Sequence, residues 1–156
     1  MRLSLLFLSL LISFLGAAAQ EVDVRVDTLS PRRCVFDIQM EKGHLSGILI
    51  SQNQEDAIIG TMVNEFGITA LSFIYAKSSE KIKFENVIGF LNKWYIKRVL
   101  KGDIKYCLHV LYGMPTKENK NYQVSQESAM VTITNKKRKI SYSFSPLVEE
   151  SEDDEE

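Results

Sequence analysis

Read for alternation of apolar and polar positions, the chain is a run of short period-two segments, one long segment with helical spacing, then more period-two segments. Residues 20–33 alternate through Val22, Val24 and Val26 and predict an edge strand that ends at Ser30-Pro31. Phe36, Ile38 and Met40 alternate with Asp37 and Gln39, which predicts a second strand, closed by a turn at Glu41-Lys42-Gly43-His44. Residues 45–51 and 57–63 follow, separated by a polar turn at 52–56. Asn64-Glu65-Phe66-Gly67 reads as a hairpin turn with Gly67 at positive φ, and residues 68–76 return from it. Ile82 and Phe84 share one face of a further strand at 81–85. Beyond residue 120, a weak strand at 121–125 precedes a hairpin of 129–134 and 139–145 around Asn135-Lys136-Lys137. Within it, Ile140-Ser141-Tyr142-Ser143-Phe144-Ser145 separates an apolar face from a hydroxyl face. Consecutive strands joined by such short turns must be antiparallel.

The intervening stretch, 86–113, is different. Val87, Phe90, Leu91, Trp94, Tyr95 and Leu100 recur at spacings of three and four, the mark of an amphipathic helix. Lys101-Gly102-Asp103 reads as a break, with Gly102 as the left-handed C′ residue of one helix and Asp103 as the N-cap of a second. The second helix carries Ile104, Cys107, Leu108 and Leu111, and Gly113 and Pro115 stop it. The pair must bury its apolar face, and the sheet is the surface large enough to cover it. The expected fold class is therefore α+β, a curved antiparallel sheet in the manner of a half-barrel with two helices packed on its concave face.

Composition changes this picture at the ends. Met1-Arg2, the apolar run 3–15 and the small residues Gly16-Ala17-Ala18-Ala19 read as a secretory signal peptide cleaved after Ala19. Thirteen residues are too few for a bilayer core, which needs about 20. The domains expected are thus a signal peptide at 1–19, one α+β domain at 20–147 and a disordered acidic tail at 148–156. Seven of the 20 acidic residues lie between Glu149 and Glu156, so the formal net charge of −1 hides a weakly basic body. Secretion makes nucleic acid an unsuitable partner.

Cys34 and Cys107 are the two cysteines, and in an oxidising compartment they could form a disulfide that contributes about 4 kcal/mol across so long a loop. They read equally well as small buried apolar residues. With two distant histidines they show no zinc spacing, and no metal or cofactor is expected. His44 and His109 have no serine, cysteine or acid at a motif distance, and G-x-S-x-G, H-E-x-x-H and glycine-rich phosphate loops are absent, so no catalytic residue is assigned and no enzyme activity is expected.

Two features suggest binding. Phe36, Ile38, Met40, Phe73, Tyr75, Phe84, Tyr142 and Phe144 can share one side of the sheet, faced from the helix by Phe90, Leu91 and Trp94. These side chains could line an apolar cavity or fill an ordinary core. Lys93, Lys97 and Lys101 recur every four residues beside Arg98, Trp94 and Tyr95, a cationic edge that suits an anionic lipid surface or an acidic partner, or else a solvated outer face.

The leader, the continuous antiparallel sheet, and the segments Thr61-Met62-Val63-Asn64-Glu65-Phe66-Gly67-Ile68 and Asn92-Lys93-Trp94-Tyr95-Ile96-Lys97-Arg98 resemble the lipoprotein localisation proteins LolA and LolB of Gram-negative bacteria. The resemblance implies a monomeric periplasmic carrier whose apolar concave face accepts acyl chains, with a lipid or an acylated protein as partner. The chain lacks the cysteine that a lipid-anchored, LolB-like receptor would need after its leader, and no position matches that family's ligand-contacting arginine. The alternative is a cell-envelope interaction module acting through its sheet edge or its basic helix.

Overall fold

The computed structural model describes residues 31–147. The signal peptide expected at 1–19, nearly all of the strand expected at 20–33 and the acidic tail at 148–156 lie outside the described residues. The strands are β1 (Arg32–Met40), β2 (Gly43–Asn53), β3 (Ala57–Asn64), β4 (Thr69–Ala76), β5 (Lys81–Val87), β6 (Tyr122–Glu127), β7 (Met130–Asn135) and β8 (Ile140–Pro146), with one helix, α1 (Trp94–Leu111), between β5 and β6. All eight strands form one antiparallel sheet in the order β5-β4-β3-β2-β1-β8-β7-β6.

The alternation of side chains fixes the two faces. Phe36 stands opposite Gly47 on one side and Phe144 on the other, and Ile38 opposite Leu45 and Tyr142, so the apolar positions of β1, β2 and β8 fall on one side together. Phe73, Tyr75 and Met62 extend that buried face across β3 and β4. On the opposite face, β7 and β8 carry hydroxyls, with Thr132 bonded to Ser143 (3.0 Å) and Thr134 to Ser141 (3.1 Å). Asn64 shapes the β3–β4 turn: its Oδ1 accepts from the backbone N–H of Phe66 (3.1 Å) and Ile68 (2.9 Å), and Gly67 takes φ 75°.

The expected fold class is corrected here. Among the described residues there is one helix, not two, and it rests on an eight-stranded antiparallel sheet with β5 and β6 at its edges, which is not clearly a half-barrel. Lys101-Gly102-Asp103 lies inside the helix. Gly102 is not among the residues at positive φ, and Asp103 caps nothing. Its side chain is 1% exposed and lies on the stripe of Leu100, Ile104, Cys107 and Leu108 that faces the sheet. The helix ends where Gly113 predicts: Gly113 adopts φ 61°, its N–H reaches the Val110 carbonyl (3.3 Å), and the Met114 N–H reaches that of His109 (2.8 Å), the Schellman arrangement. Because α1 joins the two edge strands, it spans the apolar face from one margin of the sheet to the other.

Candidate functional site

The interface between helix and sheet is closed. The voids there, bordered by side chains such as Leu49, Phe73, Ile104 and Leu108 and by Met62, Leu71 and Leu100, are each about 10 Å³, too small for an apolar ligand. Of the side chains expected to line a cavity, Phe36, Ile38, Phe73 and Tyr75 are buried in this core, as are Leu91, Tyr142 and Phe144. Met40 and Phe84 pack against it half-buried. Phe90 and Trp94 do not face the sheet; they are 54% and 72% exposed. Trp94 precedes Lys97, Arg98 and Lys101 by three, four and seven residues, so it shares their face of the helix.

Open concave space lies at the start of α1. A groove of about 360 Å³ runs between the helix and the β1–β2 and β7–β8 turns, lined mainly by apolar side chains that include Met40, Phe90, Leu91, Val99 and Ile140. Lys42, His44 and Arg138 stand in its wall. An adjoining cleft of about 550 Å³ shares Tyr95, Val99 and Arg138 with it and adds Trp94, Arg98 and Tyr122. Register brings these parts together. Met40 pairs with Gly43 at the β1–β2 turn, Gln39 pairs with Ser141, and Asn135 with Ile140, so the two turns lie at the same end of the sheet.

His44 and Asp37 form a pair at the margin of this end, Nε2 to Oδ2 at 2.5 Å. The hydrogen bond and then the charge of Asp37 raise the His44 pKa above its ordinary value. Lys93 stands at the N-cap of α1, and Lys97, Arg98 and Lys101 lie along it; Lys101 sits over the Phe84 ring at 5.7 Å, and none of the four joins an ion pair among the described residues.

Beneath the cleft lies a polar network that sequence reasoning missed. The buried Asp103 carboxylate accepts from the Tyr122 hydroxyl (2.6 Å) and the Asn135 amide (2.8 Å) at Oδ1, and from the Tyr142 hydroxyl (2.7 Å) at Oδ2. It holds the helix to β6, β7 and β8. The available signal was its position: Asp103 is in phase with Leu100, Ile104 and Cys107.

A third, polar groove of about 470 Å³ lies by the helix C-terminal half, between Lys105, His109 and the loop 115–119. Lys105 pairs with Glu80 (2.8 Å), which lowers the Glu80 pKa through that hydrogen bond and charge. His109 Nδ1–H donates to the Pro115 carbonyl (2.7 Å), and in that tautomer Nε2 accepts from the Tyr75 hydroxyl (2.8 Å). Both ring nitrogens are engaged in holding the loop and the helix to β4. Cys34 and Cys107 stand as buried free thiols on the sheet and the helix, not as a disulfide, and burial raises the pKa of each.

Among the described residues no helix is long and apolar enough to cross a membrane. In comparison with known proteins, no family model matches the chain and no curated protein matches it.

Proposed function

We propose that this chain is a secreted, non-catalytic binding protein that takes an apolar ligand with an anionic group, an acyl chain being the simplest, in the groove at the start of α1. The observation that supports it is the groove itself: about 360 Å³, mainly apolar walls and cationic side chains at Lys42 and Arg138. That volume lies at the lower end of the range for small-molecule sites. The resemblance to the lipoprotein localisation proteins contributes the ligand class alone. The site is moved from the closed helix–sheet interface to the surface groove, which keeps Met40, Phe90 and Leu91 of the side chains expected to line it.

The test is native mass spectrometry of the secreted protein purified without detergent, followed by titration with a fluorescent fatty acid. Binding that is lost in Val99→Asp and retained in Lys97→Glu supports the reading, since Val99 lines the groove and Lys97 does not. No bound species and no binding of the fatty acid by the unaltered protein sinks it.

A second reading, an interaction module working through a sheet edge, is favoured by β6. Its residues from Gln123 to Glu127 are all exposed, with Val124 44% exposed, and among the described residues β6 is an edge strand with no pairing partner on its outer side. Capture of a partner that Val124→Pro abolishes, with the groove still empty, would favour it over the carrier.

A further inference from the structure

We infer that the end of the molecule carrying the start of α1 is a docking surface for an anionic lipid bilayer. The inference does not depend on what the groove holds, but it places the mouth of the groove against a membrane.

Three kinds of group meet at this end. The first is exposed aromatic surface: Phe90 and Trp94 beside Tyr95, which is 55% exposed, with the Trp94 and Tyr95 rings edge to face at 5.9 Å. Phe66, 78% exposed, and Ile68, 52% exposed, occupy the β3–β4 turn. The Glu65 N–H bonds to the Ser46 carbonyl, so that turn lies at the same end of the sheet. The second is unpaired positive charge. Lys93 stands at the helix N-cap and Lys97 and Arg98 on the helix, with Lys136, Lys137 and Arg138 at the β7–β8 turn. None of these six joins an ion pair among the described residues.

The third is the helix terminus. Lys93 supplies no side-chain cap, and the first turn contains no acidic residue, so the partial positive charge of the first N–H groups adds to the patch. The acids at this end are Glu41 and Glu65 in the β1–β2 and β3–β4 turns, Asp37, already paired with His44, and Glu85 near the end of β5, paired with Lys83.

A solvated cationic face explains the lysines but not the aromatic side chains among them. Lysine stems could cover apolar neighbours, yet Trp94 and Phe66 remain largely uncovered. A soluble acidic protein would use the charges and leave Phe66 and Ile68, in the β3–β4 turn, without a role. A bilayer surface uses both. Tryptophan and tyrosine favour the headgroup level, phenylalanine enters the acyl boundary, and lysine and arginine reach anionic headgroups. All these groups lie at one end, so a planar surface can meet them together.

Trp94 is the one tryptophan in the chain, which makes it a built-in reporter. The probe is the chain from Gln20 onward, because residues 1–19 are apolar enough to partition by themselves; the core side chains described all lie between Cys34 and Phe144. Vesicles of phosphatidylglycerol and phosphatidylcholine, mixed in equal parts, are compared with vesicles of phosphatidylcholine alone.

The expected result is co-sedimentation and a blue shift of Trp94 emission with the anionic vesicles alone. Both should weaken with salt and fall at least about tenfold in apparent affinity in the Lys93→Glu, Lys97→Glu, Arg98→Glu triple variant. Phe66→Ser should weaken vesicle binding while leaving fatty-acid binding in the groove unchanged, and Lys81→Glu with Lys83→Glu, on β5, should change neither. The inference is overturned by an absence of vesicle binding, or by binding without a blue shift that soluble polyglutamate displaces. A groove that binds no fatty acid while vesicle binding persists would sink the carrier reading and leave this one standing.

Discussion

The Tyr142 hydroxyl, fully buried on β8, donates to the Asp103 carboxylate of α1 across 2.7 Å. Tyr122 and Asn135 supply the remaining donors, and no lysine or arginine pairs with the carboxylate among the described residues. A charge buried this deeply is held by neutral donors, each of which matters because water cannot replace it. Tyr142→Phe should therefore lower stability by about 2 kcal/mol, the typical worth of a hydrogen bond to a charged group. Asp103→Ala should cost more, because three donors lose their acceptor together. Urea unfolding followed by circular dichroism measures both, and a Tyr142→Phe midpoint equal to that of the unaltered protein would show that the network contributes nothing.

The same network gives an alkaline limit. Burial raises the pKa of Tyr142 and Tyr122 well above the ordinary 10.0, and the charge and hydrogen bond of Asp103 push both further. The folded chain then keeps two phenolic protons where the unfolded chain releases them. Above pH 10.0 the unfolded state binds fewer protons, so stability is fully present below that value and falls as pH rises toward the folded pKa values. Tyrosinate absorbance from these two rings should appear only with unfolding, and Tyr142→Phe should flatten the slope of stability against pH above 10.0.

The strands were legible because each is short and half-buried, so burial of one face writes period two into the sequence. Ile140 to Ser145 shows this in its alternation, and the register with β1 places every apolar member inward. The helix break was misread for a reason of the same kind. Glycine followed by aspartate is common at a helix boundary, and propensity alone favours one there. Donors on β6, β7 and β8 capture Asp103 instead, and they are 19 to 39 residues further along the chain. No local pattern contains that information. The exposed Trp94 was misassigned because Phe90 and Leu91 were counted in one helical phase with it, whereas the helix begins only at Trp94 and its buried stripe begins at Leu100. The apolar groove could not be read, because its wall joins Met40, Val99 and Ile140 from three elements.

Gly60 and Phe73 face each other across β3 and β4, and the ring occupies the space a side chain at residue 60 would need. A Cβ there would lie 2.3 Å from the ring's Cζ. Phe73 is 1% exposed and has little room to retreat. Gly60→Ala should destabilise the protein by about 1–3 kcal/mol, as overpacking in a dense core does. Phe73→Leu should cost stability by itself but relieve part of the Gly60→Ala loss in the double variant. A double-mutant cycle by chemical denaturation reads the coupling, and simple additivity would show that the ring is not what limits residue 60.

The His44–Asp37 pair gives a pH dependence of opposite chemical origin, a cation retained by the fold. The Asp37 hydrogen bond, then its charge, raises the folded pKa of His44 above its ordinary 6.5, with a smaller contribution from Glu65. The stabilisation is therefore fully present below pH 6.5 and is lost as pH rises through the folded pKa. The pair is open to solvent and salt screens it, so a nuclear magnetic resonance titration of the His44 ring is a more sensitive measure than unfolding. Its midpoint should lie above 6.5 and move down in Asp37→Asn. A midpoint that does not move would show that the pair does not hold in solution.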